Sequence, residues 1–229
     1  VHPRGVRHMI DPSKLWEATC AVYGADRAYD LYGHLVPVPA ERIVPATDGL
    51  EIHLGSRLFR VFDTPGHARH HICIWDAVAH AFFTGDTFGL SYRELDVDGR
   101  PFIMPTTTPT QFDPQAMHDS IDRMLAMQPQ AMYMTHYSRV TDVERLGADL
   151  HRLVDTVVAV ASAARGTGVP RHVEILPGLE QIVPEEAARQ NWALSEDETL
   201  ELLGMDLELN AQGLGVWLDS RRVAEAETA

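Results

Sequence analysis

Residues 59–87 read FRVFDTPGHARHHICIWDAVAHAFFTGDT, and the way short apolar runs alternate there with polar and Gly/Pro punctuation decides the fold class. Leu58–Phe62, His71–Trp75 and Ala81–Thr84 are dominated by Val, Ile and Phe and have the length of strands. Asp76–His80 between the last two reads as a hairpin turn. Polar residues therefore fall where strands stop: Asp63, His67, His70 and His71 after the first, Asp86 after the third. Strand ends joined by Gly-rich turns are where a rigid sheet can present ligands to a small ion. Further on, Ala131-Met-Tyr-Met-Thr-His136 is another short apolar run that ends on a histidine. Two imidazoles and a carboxylate suit Zn2+ or another borderline divalent metal.

Taken together, TPGHARHH at 64–71, TGDT at 84–87 and TH at 135–136 resemble the third, fourth and fifth motifs of the metallo-β-lactamase-fold hydrolases, a superfamily that includes glyoxalase II-like thioesterases and lactonases. The resemblance covers roughly residues 50–140. It implies an α/β protein of the αββα sandwich type in which His67 binds one metal, Asp86 bridges two, and His136 binds the second. The implied cofactor is a pair of divalent ions, zinc first, with Fe and Mn also compatible with such donors. His71 is expected to support a ligand rather than to bind metal itself.

The family's first motif, His-x-His-x-Asp-His, occurs nowhere in the 229 residues. The chain opens Val1-His2-Pro3-Arg4-Gly5, which reads as the end of a strand followed by a turn. These residues are accordingly expected to be the downstream portion of a longer chain, with His2 and His70 the first alternatives to examine if further ligands are needed.

At 45% hydrophobic and 23% charged residues the composition is that of an ordinary globular protein. A formal charge of −14 argues against a general nucleic-acid binder, because neutralising phosphates takes Lys and Arg. No apolar run approaches the ~20 residues needed to span a bilayer. The two cysteines, Cys20 and Cys73, show neither pairing nor metal spacing and read as reduced, buried thiols, so a cytoplasmic setting is expected. The expected partner is a small-molecule substrate, with no nucleic acid and no membrane; homo-oligomerisation stays open.

Along the chain, 11–33 reads as helical, with Asp11 capping, Pro12 in the first turn, and Leu15, Trp16, Ala18, Thr19, Val22 and Tyr23 forming an apolar face that ends at Gly24. A second short helix, Ala25–Leu31, stops at Gly33, and Tyr29 and Tyr32 there are read as core in preference to a pocket lining. Glu51–Arg60 is a hairpin with a Gly55-Ser56 turn and His53 on its solvent face. The connection from Phe88 to Phe112 is rich in Gly, Pro and Thr, as functional loops are. Tyr92 and Arg93 within it are expected to form one lip of the site and to contact substrate, the bland alternative being an Arg93–Glu94 surface ion pair. Asp113-Pro114 opens a helix with Met117, Ile121, Met124 and Leu125 on one side. Two apparent capping boxes, Thr141–Glu144 and Ser195–Glu198, start long helices, and the glycines at 213 and 215 either permit close packing or end the last one. The chain is thus expected to divide into a metallo-β-lactamase-like domain at 1–140 and a helical module at 141–229.

The expected chemistry follows from the metal: a bound cation lowers the pKa of its water to ~7 and gives a metal-bound hydroxide for attack on an ester-type bond, thioester or lactone first. The enzyme alternative implied by the fold is an iron-dependent redox protein. The other alternative is a non-catalytic scaffold or interaction module without a full metal site.

Overall fold

The computed structural model describes residues 1–107, 111–136 and 138–228, apart from the side chains of Val22 and of residues beyond 223. Its centre is one mixed sheet of six strands in sequence order: β1 (Glu51–Leu54), β2 (Arg57–Asp63), β3 (Ile72–Asp76), β4 (Ala81–Gly85), β5 (Ala131–Met134) and β6 (Ser138–Val140). Neighbours run antiparallel except β4 and β5. A parallel pair needs a crossover, and here residues 86–130 supply it, carrying α4 (Pro114–Leu125). Because β2, β4 and β5 share one direction, their C-terminal ends lie at one edge of the sheet. Asp63, Gly85 and Met134 end those strands, and the candidate ligands follow directly.

The pleat sorts side chains by face. Trp75, Phe82, Met132 and Val140 stand in register across β3–β6 and are buried. Against that face lie Met117, Ile121 and Met124 of α4 and Leu146 and Leu150 of α5 (Val143–Ala163), all fully buried. Phe59, Phe83 and Tyr133 form an aromatic row on the other face, with Phe83 43% exposed. Asp113 caps α4 through a bond from the Ala116 N–H, as its Asp-Pro opening predicts.

Three further helices complete the tail: α6 (Gly168–Glu180), α7 (Ile182–Gln190) and α8 (Glu196–Thr228). One apolar cluster runs from Phe62 through the sheet and α5 to Trp217 on α8. The Ser195–Glu198 capping box forms, each partner bonding the other's backbone N–H. The helix passes through Gly213 and Gly215 without ending there, and the Gly215 carbonyl accepts from the buried Arg171 guanidinium at 2.7 Å. Among the described residues no helix is long and apolar enough to cross a membrane.

Several expectations are corrected. Pro3–Gly5 is a 3-10 turn leading into α1 (Val6–Ile10) rather than a strand end, although Val1 does pair through its backbone with Val44 and Ala46. The helical stretch at 11–33 is, as expected, two helices meeting at Gly24, α2 (Ser13–Tyr23) and α3 (Ala25–Tyr32). Its apolar face is not a core face: Leu15, Tyr23, Tyr29 and Tyr32 are all exposed, and the Val22 side chain lies outside the described set. The Thr141–Glu144 box does not close, because Asp142 adopts a left-handed conformation and its carboxylate pairs with Arg145. Of the cysteines only Cys73 is buried. Strand β6 carries no sequence signal of its own.

Candidate metal centre

Each candidate ligand is placed by a local constraint. The Thr64–His71 loop rises from β2 and is clamped onto α4: the Gly66 carbonyl accepts from the Asp113 N–H and the Pro65 carbonyl from the Ser120 hydroxyl. Gly66 has φ +135°, and a Cβ there would lie 2.4 Å from the Met117 Cα. Only glycine allows this approach. Gly85 has φ +51°, and a Cβ on it would meet the His71 ring at 2.4 Å. The glycine of TGDT is thus the space into which the last histidine of TPGHARHH fits.

The structure brings His67, Asp86 and His136 together. His67 Nε2 lies 3.6 Å from Asp86 Oδ2, and His136 Nε2 lies 3.3 Å from Asp86 Oδ1. The two imidazoles therefore address opposite oxygens of one carboxylate. Asp86 Oδ1 is a buried atom with no hydrogen-bond partner. Such an atom is costly unless something positive meets it. His67 is 13% and His136 51% exposed at the side chain, so one lies inside the site and the other at its rim. Among the described residues no three His, Cys, Asp or Glu side chains are gathered around a single point as a finished metal shell would gather them.

The protons can be assigned from the partners. His67 Nδ1 faces both the carbonyl (3.2 Å) and the hydroxyl (3.0 Å) of Thr106, and that hydroxyl donates in turn to the Asp86 carbonyl. A carbonyl only accepts, so Nδ1 carries the hydrogen and Nε2 presents a lone pair towards Asp86. Burial pushes the His67 pKa down and keeps the ring neutral, which is the form a metal takes. The His67 imidazole, its second nitrogen held by a carbonyl, and the Asp86 carboxylate it faces fit a divalent cation, and the unbonded Oδ1 lies on the His136 side.

His71 is differently committed. Its Nε2 accepts the backbone N–H of Asp86 at 3.0 Å, so its Nδ1 is the protonated nitrogen, 2.8 Å from Thr87 Oγ1 and 3.1 Å from Thr64 Oγ1. Burial lowers its pKa to about 4. Beneath it Thr64 Oγ1 donates to Cys73 Sγ, whose thiol burial pushes up to about 12. His2 reaches towards Asp63 at 3.4 Å, with its Nδ1 taken by the Arg4 N–H. His70 is exposed.

In the connection after Asp86, the Tyr92 hydroxyl donates to Asp206 of α8, and Arg93 bonds Asp96 (3.0 Å) and the Arg139 carbonyl (2.7 Å). The ion pair is with Asp96, not Glu94. Burial raises the Asp206 pKa, and the hydrogen bond from the Tyr92 hydroxyl opposes that shift. Three contributors escape sequence reasoning: Thr106, Asp206 and Asn210. Asn210 of α8 is buried, accepts from the Thr107 N–H at 2.7 Å and donates to the Pro105 carbonyl at 3.0 Å, fixing the loop that carries Thr106. The Pro-Thr-Thr run at 105–107 is the single local hint; its partners come from distant segments.

Comparison with known proteins supplies the frame. The model of the metallo-beta-lactamase superfamily matches residues 7–136. A metallo-beta-lactamase fold-containing protein, ST1585 of Sulfurisphaera tokodaii, is 28% identical over 109 residues, which are 47% of this chain and 38% of that protein. The crystal structure of the archaeal ST1585 superposes with a TM-score of 0.57 at 21% identity, covering 92% of this chain and 67% of that one. The metallo-beta-lactamase family protein TTHA1429 from Thermus thermophilus gives 0.51 at 18% identity, over 80% of this chain and 64% of its own. The chain thus spans well under half the length of the curated relative it matches.

Proposed function

The chain belongs to the metallo-beta-lactamase superfamily, and from that premise we propose that His67, Asp86 and His136 serve a metal-dependent hydrolase acting on ester-type bonds, thioesters and lactones first. The observation that carries the reading is the position of the two imidazoles on opposite oxygens of Asp86, whose Oδ1 is buried without a hydrogen bond. In this reading Asp86 would be shared between two divalent ions, with His67 holding one and His136 the other. Such an ion supplies an acidified water and an electrophile for a carbonyl oxygen.

The chain's own residues do the positioning. Thr106 fixes the His67 tautomer and, through the Asp86 carbonyl, ties both ligands to one loop. His71 holds the Asp86 backbone and stays neutral, so it does not exchange protons with substrate near pH 7. Tyr92 and Arg93 form the lip on the His136 side, where the Tyr92–Asp206 pair steadies the connection against α8. The donor set takes zinc, manganese or iron.

The test is turnover of a thioester and a lactone by the purified chain supplied with Zn2+, Mn2+ or Fe2+, before and after a chelator, beside Asp86→Asn. Hydrolysis that needs metal and disappears in Asp86→Asn supports the reading. Chelator-resistant turnover, or equal turnover in the variant, overturns it.

A further inference from the structure

Far from Asp86 in sequence, α4 and α5 each present a histidine followed one helical turn later by an aspartate: His118 and Asp122 on one, His151 and Asp155 on the other. The pairs cross between the helices. His118 Nε2 lies 3.1 Å from Asp155 Oδ1, and His151 Nε2 lies 3.0 Å from Asp122 Oδ1. Carboxylates accept, so both Nε2 atoms carry hydrogen and both Nδ1 atoms are turned inward. Those two Nδ1 atoms are 2.6 Å apart. The ring planes are within 12° of parallel while the centroids are 4.9 Å apart. With the nitrogens as the nearest atoms, the rings meet tip to tip rather than face to face. Two N–H groups cannot point at each other over that distance, so the nitrogens share one proton.

We propose that His118 and His151 form a second metal site, in which a borderline divalent cation such as Zn2+, Ni2+ or Cu2+ replaces the shared proton between the two Nδ1 atoms. Metal-binding imidazoles characteristically donate their other N–H to a carboxylate, and here both do so already. Imidazole nitrogen suits these three ions. Exchange of the proton for a divalent ion brings two carboxylates, two neutral rings and the cation to zero net charge, where the protonated cluster carries one negative charge. The rings are 20% and 25% exposed and the aspartates 76% and 71%, so an ion and its remaining waters reach the site from solvent. With metal–nitrogen bonds of ~2.0–2.1 Å, an ion on the line between the two nitrogens requires the ring tips, now 2.6 Å apart, to part by about 1.5 Å, a movement that side chains on two helix surfaces can make. The site is separate from the Asp86 centre and does not depend on the function proposed for it.

Titration with Cu2+ followed by electron paramagnetic resonance tests this, in the whole chain carrying His67→Ala and Asp86→Asn so that the other centre is silent. One equivalent should bind with nitrogen splitting from two imidazoles. On the same background His118→Ala and His151→Ala should each weaken that equivalent at least about 100-fold, and Asp122→Asn about 10–100-fold. His118→Gln and His151→Gln give the same readout should an alanine variant not fold. Unchanged affinity in these variants, or dependence on one histidine with the other dispensable, overturns the proposal.

Discussion

His71 accepts the backbone N–H of Asp86 on its Nε2, 3.0 Å away, and by doing so it fixes the carboxylate that His67 and His136 both face. The histidine nearest the site in this respect is occupied with the main chain on one nitrogen and with two threonine hydroxyls on the other.

Replacing His71 with Ala leaves the Asp86 N–H without its partner, while the Thr64 and Thr87 hydroxyls keep their bonds to Cys73 Sγ and the Thr64 carbonyl. The expected loss of stability is about 1–3 kcal/mol. Metal affinity should fall about 10–100-fold with the number of bound ions unchanged, whereas His67→Ala should remove an ion. Calorimetric titration of the two variants checks the contrast; equal and complete metal loss in both would place His71 among the ligands.

The pH dependence has a defined sign. The folded-state pKa of His71 is lowered to about 4 from 6.5, so the unfolded chain binds the proton more readily. This contribution is fully present above pH 6.5 and is lost as pH falls towards 4, on the order of 3 kcal/mol for a shift of this size. Urea denaturation between pH 7 and 4 should show a shallower decline for His71→Gln than for the parent. Parallel declines would contradict the assignment.

Gly66→Ala should be among the most damaging single-methyl changes in the chain. The new Cβ would sit 2.4 Å from the Met117 Cα in a backbone conformation that L residues avoid. Overpacking of this kind costs about 1–3 kcal/mol before the conformational strain is added. The urea midpoint should drop with the slope unchanged, while Gly99→Ala, with open space at the Cβ, should cost less.

Asp206→Asn should raise stability near neutral pH. Burial raises the Asp206 pKa, so its ionisation costs more in the fold than in the unfolded chain. The penalty grows as pH rises from the unfolded value of ~3.9 through the folded pKa. Asparagine keeps an acceptor for the Tyr92 hydroxyl without the charge. The parent and the variant should therefore converge in stability below pH 4 and separate above it; a variant less stable at pH 7 would show that the charge is compensated.

His67, Asp86 and His136 were legible in the sequence because each follows a strand directly, and β2, β4 and β5 point the same way. The hairpins at 51–60 and 72–85 were legible through Gly55-Ser56 and Asp76–His80 for the same local reason. Thr106 was not, since its bond to His67 joins loops that no pattern links. Asp206 and Asn210 belong to a helix whose periodicity shows packing and says nothing of which loop it packs on. The apolar face of α2 had the right period for burial, but a period shows only where side chains point, and Leu15 and Tyr23 point to solvent. At 141–144 the motif was present and Arg145 claimed the Asp142 carboxylate instead.

The most direct measurement is anomalous diffraction from crystals soaked in Zn2+. Density is expected about 2.0–2.2 Å from His67 Nε2 and from His136 Nε2, on the Oδ2 and Oδ1 sides of Asp86 respectively. Density absent from both positions, or seated on His71 Nε2 in place of the Asp86 N–H, would contradict this assignment.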